Sequence, residues 1–250
     1  MAPDDRARIR LPRPARWFKR LMLAGALLGA SLGAVASVAV RTLSQPSASM
    51  WPTLHVGERL IANRLEAPPE RGAMVVFKYP EHPEQLFVKR IVGLPGDVVA
   101  ITSGAVTLNG RRLPRCAVGK ISFTDRGATG DSGSKHEGLL AVEWLGGATY
   151  LVFDEQTGAG ASGEGRSWTT AAGEYFVLGD NRNNSHDSRM WFGGAGGGVP
   201  LASTRGRVRG HAVPQIPAEV EGRTELTTAL EACLAKGPSE PRAPSRAPAR

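Results

Sequence analysis

The sequence predicts a mainly β fold: an antiparallel, barrel-like core with a smaller β cap subdomain, preceded by one N-terminal transmembrane helix. Three observations predict it. Eight short β-branched runs between Glu58 and Val213 are bounded by Gly, Pro or Asp. A stretch richer in Gly, Ser and Thr interrupts them at 114–172. An uncharged apolar run of twenty residues, Leu21 to Val40, precedes them all.

Residues 1–20 carry seven Lys/Arg against two Asp, net +5. Positive charge resists translocation, so this basic segment is expected to stay cytoplasmic. As a helix the run 21–40 would be about 30 Å long, the thickness of one hydrocarbon core. A cleavable signal peptide is the alternative, and Ala34-Val35-Ala36 offers it a small-x-small cut site. The run is long for such a peptide, which favours a retained anchor in membrane lipid. Both readings put the remainder across the cytoplasmic membrane.

Residues 41–217 are expected to form the extracytoplasmic domain. Its runs are 58–65, 73–79, 85–93, 97–104, 105–113, 148–154, 174–180 and 206–213. Asn109-Gly110 marks a tight turn, because both residues tolerate positive φ. The weaker apolar periodicity of 114–172 suggests the cap or an insertion. Residues 218–236 read as a helix, with Val220, Leu226, Leu230 and Leu234 at three-to-four spacing. The Pro/Arg-rich 237–250 is expected to be disordered.

The tail adds net +2, so residues 21–236 carry only the last +1 of the chain's +8. A nucleic-acid binder would place its charge on a folded face; here it sits at the ends, and nucleic acid is set aside. Cys116 and Cys233 show no CxxC and no Cys/His zinc spacing. They fit either one disulfide or two free thiols. No metal pattern is present and no cofactor is called for.

Three places carry chemistry. Ser49 stands in PSASMWPTL, 46–54, where Pro46 and Pro52 stiffen the backbone. Lys89 interrupts the apolar strand LFVKRIVG, 86–93. Side chains alternate along a strand, so Lys89 shares its face with Phe87 and Ile91. Such a face disfavours the ammonium and lowers its pKa. Bringing an amine from ~10.4 to about 7–8, where it can act as a general base, takes roughly 3–4 kcal/mol. Arg90, on the other face, is expected to pair with an acidic side chain. GDNRNNSHDSR, 179–189, follows an apolar strand directly, and its dense polar content suggests a hydrogen-bonded loop at the site.

PSASMWPTL, RGAMVVFKYP at 71–80, FVKRIVGLPGD at 87–97 and GDNRNNSHDSR resemble the four successive sequence boxes of bacterial type I signal peptidases, in the family's order and behind its anchor. The resemblance spans about residues 21–213. It implies a Ser/Lys endopeptidase acting on the signal peptides of exported preproteins, with a β catalytic core and a β cap. It makes Ser49 the nucleophile and Lys89 the base. Ser47 would help hold the oxyanion, and Ser185 would orient the Lys89 amine. Asp187 and Arg189 would form a supporting ion pair. Pro46, Met50, Leu54 and Val88 would help line small apolar pockets.

Two departures stand out. The family usually has Asp where this chain has Asn183, which removes a charged acceptor near Arg182 and Arg189. A glycine-rich insertion, Gly193 to Gly198, delays Val199-Pro200. Three other readings are weighed. A Ser-His-Asp triad would use His55 or His186, but His186 and Asp187 are adjacent and would point apart. A dedicated Ser/Lys peptidase would have one or few substrates. An inactive paralogue would be an exported binding module.

Overall fold

The computed structural model describes residues 40–63, 69–102, 104–125, 133–156, 163–208 and 214–238, with Leu21 and Gly25. The basic N-terminus, nearly all of the expected anchor and most of the tail lie outside the described residues. Among the described residues no helix is long and apolar enough to cross a membrane.

The described strands pair antiparallel in three sheets. The largest contains β1 (Val40–Ser44), β2 (Arg59–Asn63), β3 (Met74–Lys78), β4 (Leu86–Gly93), β12 (Glu174–Leu178), β13 (Val199–Pro200) and β14 (Thr204–Val208). Their order is β1-β2-β14-β3-β4-β12-β13. That order is open at both ends, so the expected barrel closure is not among these pairings. A second sheet joins β11 (Ser167–Thr169), β5 (Val98–Thr102), β6 (Ala105–Leu108) and β7 (Arg111–Arg112). Asn109 and Gly110 both take positive φ, 52° and 76°, in the tight turn between β6 and β7.

The third sheet is the cap: β10 (Ala148–Glu155), β9 (Lys135–Leu145) and β8 (Arg115–Thr124). It is shorter than the 114–172 expected from composition, because the far end of that stretch returns to pair with β5. Of the cap's strands, β10 was read as the run 148–154, while β8 and β9 were not. Gly, Lys, Ser and Thr alternate along β8, and a bulge between Ala117 and Gly119 shifts its register.

Helix α1, Thr224–Lys236, packs on β8 and β9 and buries Leu226, Leu230 and Cys233. It begins later than the expected 218, because Gly222 sits in the left-handed region at φ 76°. Val220, in the preceding turn, is nonetheless fully buried in the same cluster. Cys233 and Cys116 are joined in a disulfide, which pins α1 to β8. Arg71 donates twice to Asp97, at 2.8 and 2.7 Å, and ties the entry of β3 to the turn after β4.

Candidate active site

Ser49 sits in a short 3-10 turn, Ala48–Met50, and its neighbours anchor it from two sides. Trp51 stacks on Phe123 of β8 with ring centroids 3.9 Å apart, and meets Phe153 of β10 edge-on at 4.8 Å. Met50 is fully buried with Leu54 and Val88 in a cluster of the main sheet. The chain therefore reaches into the cap with one side chain and into the core with the one before it. The Asn181 amide donates to the Ser49 carbonyl at 3.2 Å. Gly179 makes this approach possible. A Cβ there would stand 2.5 Å from the Ser49 carbonyl oxygen and 2.2 Å from Ser185 Oγ.

Lys89 lies opposite Val75 in the β3–β4 register and is 4 % exposed. Its Nζ donates to Ser49 Oγ at 2.6 Å. Phe87 flanks it, with the ring centroid 5.6 Å from Nζ. Burial pushes the amine down to about 8; Asp187 and Asp180 pull it upward, and Arg189 pushes it down again. The apolar strand face read from sequence is thus the chief cause of the shift.

Ser47 is exposed, and its Oγ donates to Ser49 Oγ at 3.1 Å. Gln45, itself buried, fixes Ser47 by donating to its carbonyl at 2.8 Å. Nothing in the sequence reading assigned Gln45 a role; its signal was a long polar side chain held between a strand and Pro46. Met50, Leu54 and Val88 share one buried cluster, while Pro46 is exposed.

The 179–189 loop is largely buried rather than solvated. Arg189 donates through Nε and a terminal nitrogen to the two Asp187 oxygens, each at 2.8 Å. The Gly179 amide adds a third bond at 2.9 Å. Burial works to raise the Asp187 pKa, but the Arg189 charge and these bonds hold it below the usual carboxylate value. Ser185 Oγ is buried and meets no hydrogen-bond partner among the described residues. It lies near enough to Asp187 to contribute, last among the causes, to that lowered pKa.

Arg90 takes Asp180 through two nitrogens, at 2.8 and 2.6 Å, and lies over the Tyr150 ring at 3.9 Å. Thr53 Oγ1 donates to the same Asp180 carboxylate at 2.5 Å. Sequence reasoning gave Asp180 no part, although it opens the loop and faces the strand that carries Lys89.

Asn183 is tied to the cap. Its amide donates to the Glu155 carbonyl at 2.9 Å, a bond that a carboxylate could not make. Arg182 pairs instead with Glu143 of β9, and Arg189 with Asp187. The glycine insertion folds into a hydrogen-bonded loop on β11: Trp168 donates to the Ala195 carbonyl at 2.9 Å, and Arg166 to the same oxygen at 2.7 Å. At Gly196 a Cβ would strike the Trp168 ring nitrogen at 2.1 Å.

The two histidines considered as bases are engaged elsewhere. His186 Nε2 meets the Tyr79 hydroxyl at 2.8 Å, and His55 stands 3.5 Å from Glu58. Both are exposed. Among the described residues no group of His, Cys, Asp and Glu is arranged to hold a metal ion.

A family model described as signal peptidase, peptidase S26, matches residues 15–212, and the chain belongs to that family. A signal peptidase I of Pseudomonas aeruginosa is 34% identical over 171 residues, covering 62% of this chain and 56% of that protein. A signal peptidase I of Aquifex aeolicus is 31% identical over 190 residues, covering 65% of this chain and 71% of that protein. The chain therefore matches little more than half the length of the Pseudomonas relative. A crystal structure of a signal peptidase I from Enterococcus faecalis is 26% identical and covers 56% of this chain and 96% of that one, at a TM-score of 0.31. With so loose a superposition, the fold rests on the strand pairings above.

Proposed function

We propose that this chain is a membrane-bound serine endopeptidase that removes N-terminal signal peptides from exported preproteins after small residues, in the pattern Ala-x-Ala. One observation carries the reading: a buried lysine amine 2.6 Å from a buried serine hydroxyl. Membership of the peptidase S26 family supports the substrate class. The run 21–40 serves as a single-pass anchor in the cytoplasmic membrane, with the N-terminus cytoplasmic and the catalytic domain on the extracytoplasmic side. Tethering then raises the effective concentration of emerging signal peptides without added contacts.

The neutral Lys89 amine takes the Ser49 proton, and Oγ attacks the carbonyl of the small residue before the cut. The oxyanion is received by Ser47 Oγ and the Ser49 amide; one such donor contributes about 3–4 kcal/mol to the transition state. The mature chain leaves with the proton from Lys89. Water, deprotonated by the same amine, then frees the signal peptide from Ser49. Asp187 and Arg189 fix the loop beside Lys89, in which Ser185 Oγ stands without a bond to the amine. Met50, Leu54, Val88 and Pro46 shape the apolar pockets for the small side chains. No step calls on a metal or cofactor.

The test uses the full chain in detergent with a preprotein whose signal ends in Ala-x-Ala. Cleavage at that point, lost in both Ser49→Ala and Lys89→Ala, is expected. An intact preprotein after incubation with the folded parent would instead favour a binding module. Cleavage that survives Lys89→Ala but not His55→Ala or His186→Ala would point to a histidine base.

A further inference from the structure

Glu143 is the one charge in the apolar half of β9, Leu140–Leu145, and it is 1 % exposed. A carboxylate so placed costs free energy unless it is paired and hydrogen-bonded. It is satisfied on both oxygens. Arg182 donates to one at 2.9 Å and to the other in a shorter bond, and the Tyr150 hydroxyl donates to that second oxygen at 2.7 Å. Arg182 belongs to the catalytic loop, while Glu143 and Tyr150 belong to the cap. The pair therefore spans the two.

We propose that Glu143 is a positioning residue for the Ser49–Lys89 pair, holding Arg182, which in turn holds the Arg189–Asp187 ion pair beside Lys89. The inference rests on the peptidase reading above. Each link is a short contact. The Arg182 amide donates to the Phe153 carbonyl of β10 at 2.8 Å. The Arg182 carbonyl accepts from Arg189 at 2.5 Å. Arg189 clamps Asp187, whose charge acts on Lys89 together with those of Asp180 and Arg189. A second branch leaves Glu143 through Tyr150. Its ring carries Arg90, and Arg90 holds Asp180, which also receives Thr53, four residues after Ser49.

Asn183 explains why the cap must supply this carboxylate. Next to Arg182 in the chain it is an amide, and it is committed to the Glu155 carbonyl. The charged groups that act on Glu143 are Arg182 and Arg115, and those on Lys89 are Asp187, Asp180 and Arg189. Freed from Glu143, Arg182 would turn to Asp180, the other carboxylate whose charge acts on it and one that also acts on Lys89. Lys89 would then lose part of the attraction that favours its ammonium form.

The experiment follows cleavage of the Ala-x-Ala preprotein by full-length parent and Glu143→Gln proteins across pH, alongside their melting temperatures. Glu143→Gln is expected to lower kcat at least tenfold with KM within threefold, and to move the acidic limb of kcat down by half a pH unit or more. A variant that melts earlier but keeps the parent's limb and kcat makes Glu143 a structural group only and overturns the proposal. If Glu143→Gln does not fold, the double variant Glu143→Leu/Arg182→Leu, which leaves no orphaned buried charge, is read in the same way. Failure of both to fold also overturns it, since the pair would then serve folding alone. A parent protein that leaves the preprotein whole refutes the peptidase reading instead, so the two failures are distinguishable.

Discussion

Trp51 lies face to face on Phe123 with 3.9 Å between ring centroids, and through this contact the serine turn is fastened to the cap. Phe123 carries His136 on its opposite side at 4.6 Å, so three rings stack in a row. Ser49 stands two residues from the first of them. Aromatic pairs of this kind contribute about 0.5–1.5 kcal/mol beyond area burial.

Removing that fastening should separate stability from chemistry. Trp51→Ala is expected to cost about 3–5 kcal/mol of unfolding free energy. It should lower kcat more than KM, because the turn carrying Ser49, the proposed nucleophile, loses one of its two anchors. Denaturant titration and steady-state kinetics of one preparation check both; an unchanged kcat would show that Met50 alone suffices.

Lys89 should be a destabilising residue that chemistry requires. Its folded pKa, about 8, lies below its value of 10.5 in the unfolded chain. The unfolded state therefore binds more protons between these values, and stability rises with pH through that window. Below it the cost is constant, at roughly 3 kcal/mol for a shift of this size. Lys89→Met is expected to abolish cleavage, raise the melting temperature at pH 7 and flatten stability between pH 8 and 10.5. A variant less stable than the parent at pH 7 would show that the amine is stabilised by its partners.

Asp180 answers a buried guanidinium. Asp180→Asn leaves Arg90 without its carboxylate and is expected to cost about 3–5 kcal/mol. It also removes one of the charges that raise the Lys89 pKa, so the acidic limb of kcat should move to lower pH. Melting curves and a pH–rate profile test the two effects, and the double variant Asp180→Leu/Arg90→Met should recover part of the stability.

The disulfide predicts a local effect. It links residues 117 apart in sequence. For so long a loop the chain-entropy model gives about 4–5 kcal/mol. Cys116→Ser is expected to lower stability by up to that amount and to expose the amides of α1 first. Hydrogen exchange before and after reduction is the measurement. Equal protection of α1 in both states would show that Leu226 and Leu230 hold the helix unaided.

The main sheet was legible because β3, β4 and β12 are apolar runs closed by Pro, Gly or Asp, and the β6–β7 hairpin of the second sheet because Asn109-Gly110 makes a turn by itself. The burial of Lys89 was legible because strand alternation puts it between Phe87 and Ile91. The cap's β8 and β9 were not, since Gly119 breaks the alternation of β8 with a bulge and β9 changes from an alternating half to one buried on both faces. Local pattern could not assign Glu143 or Asp180, because their partners lie in other elements. The partner of Arg182 was hidden for the same reason: that arginine finds its carboxylate on another sheet.

Ser49 and Lys89 are 40 residues apart, and Thr53 and Asp180 are 127 apart. Contacts of such high order form late, once the loops between them have closed. A chain still folding would thus carry both reactive groups and yet be inert toward peptide bonds, its own included. On the proposed reading, hydrolytic power would arrive only with the finished tertiary structure.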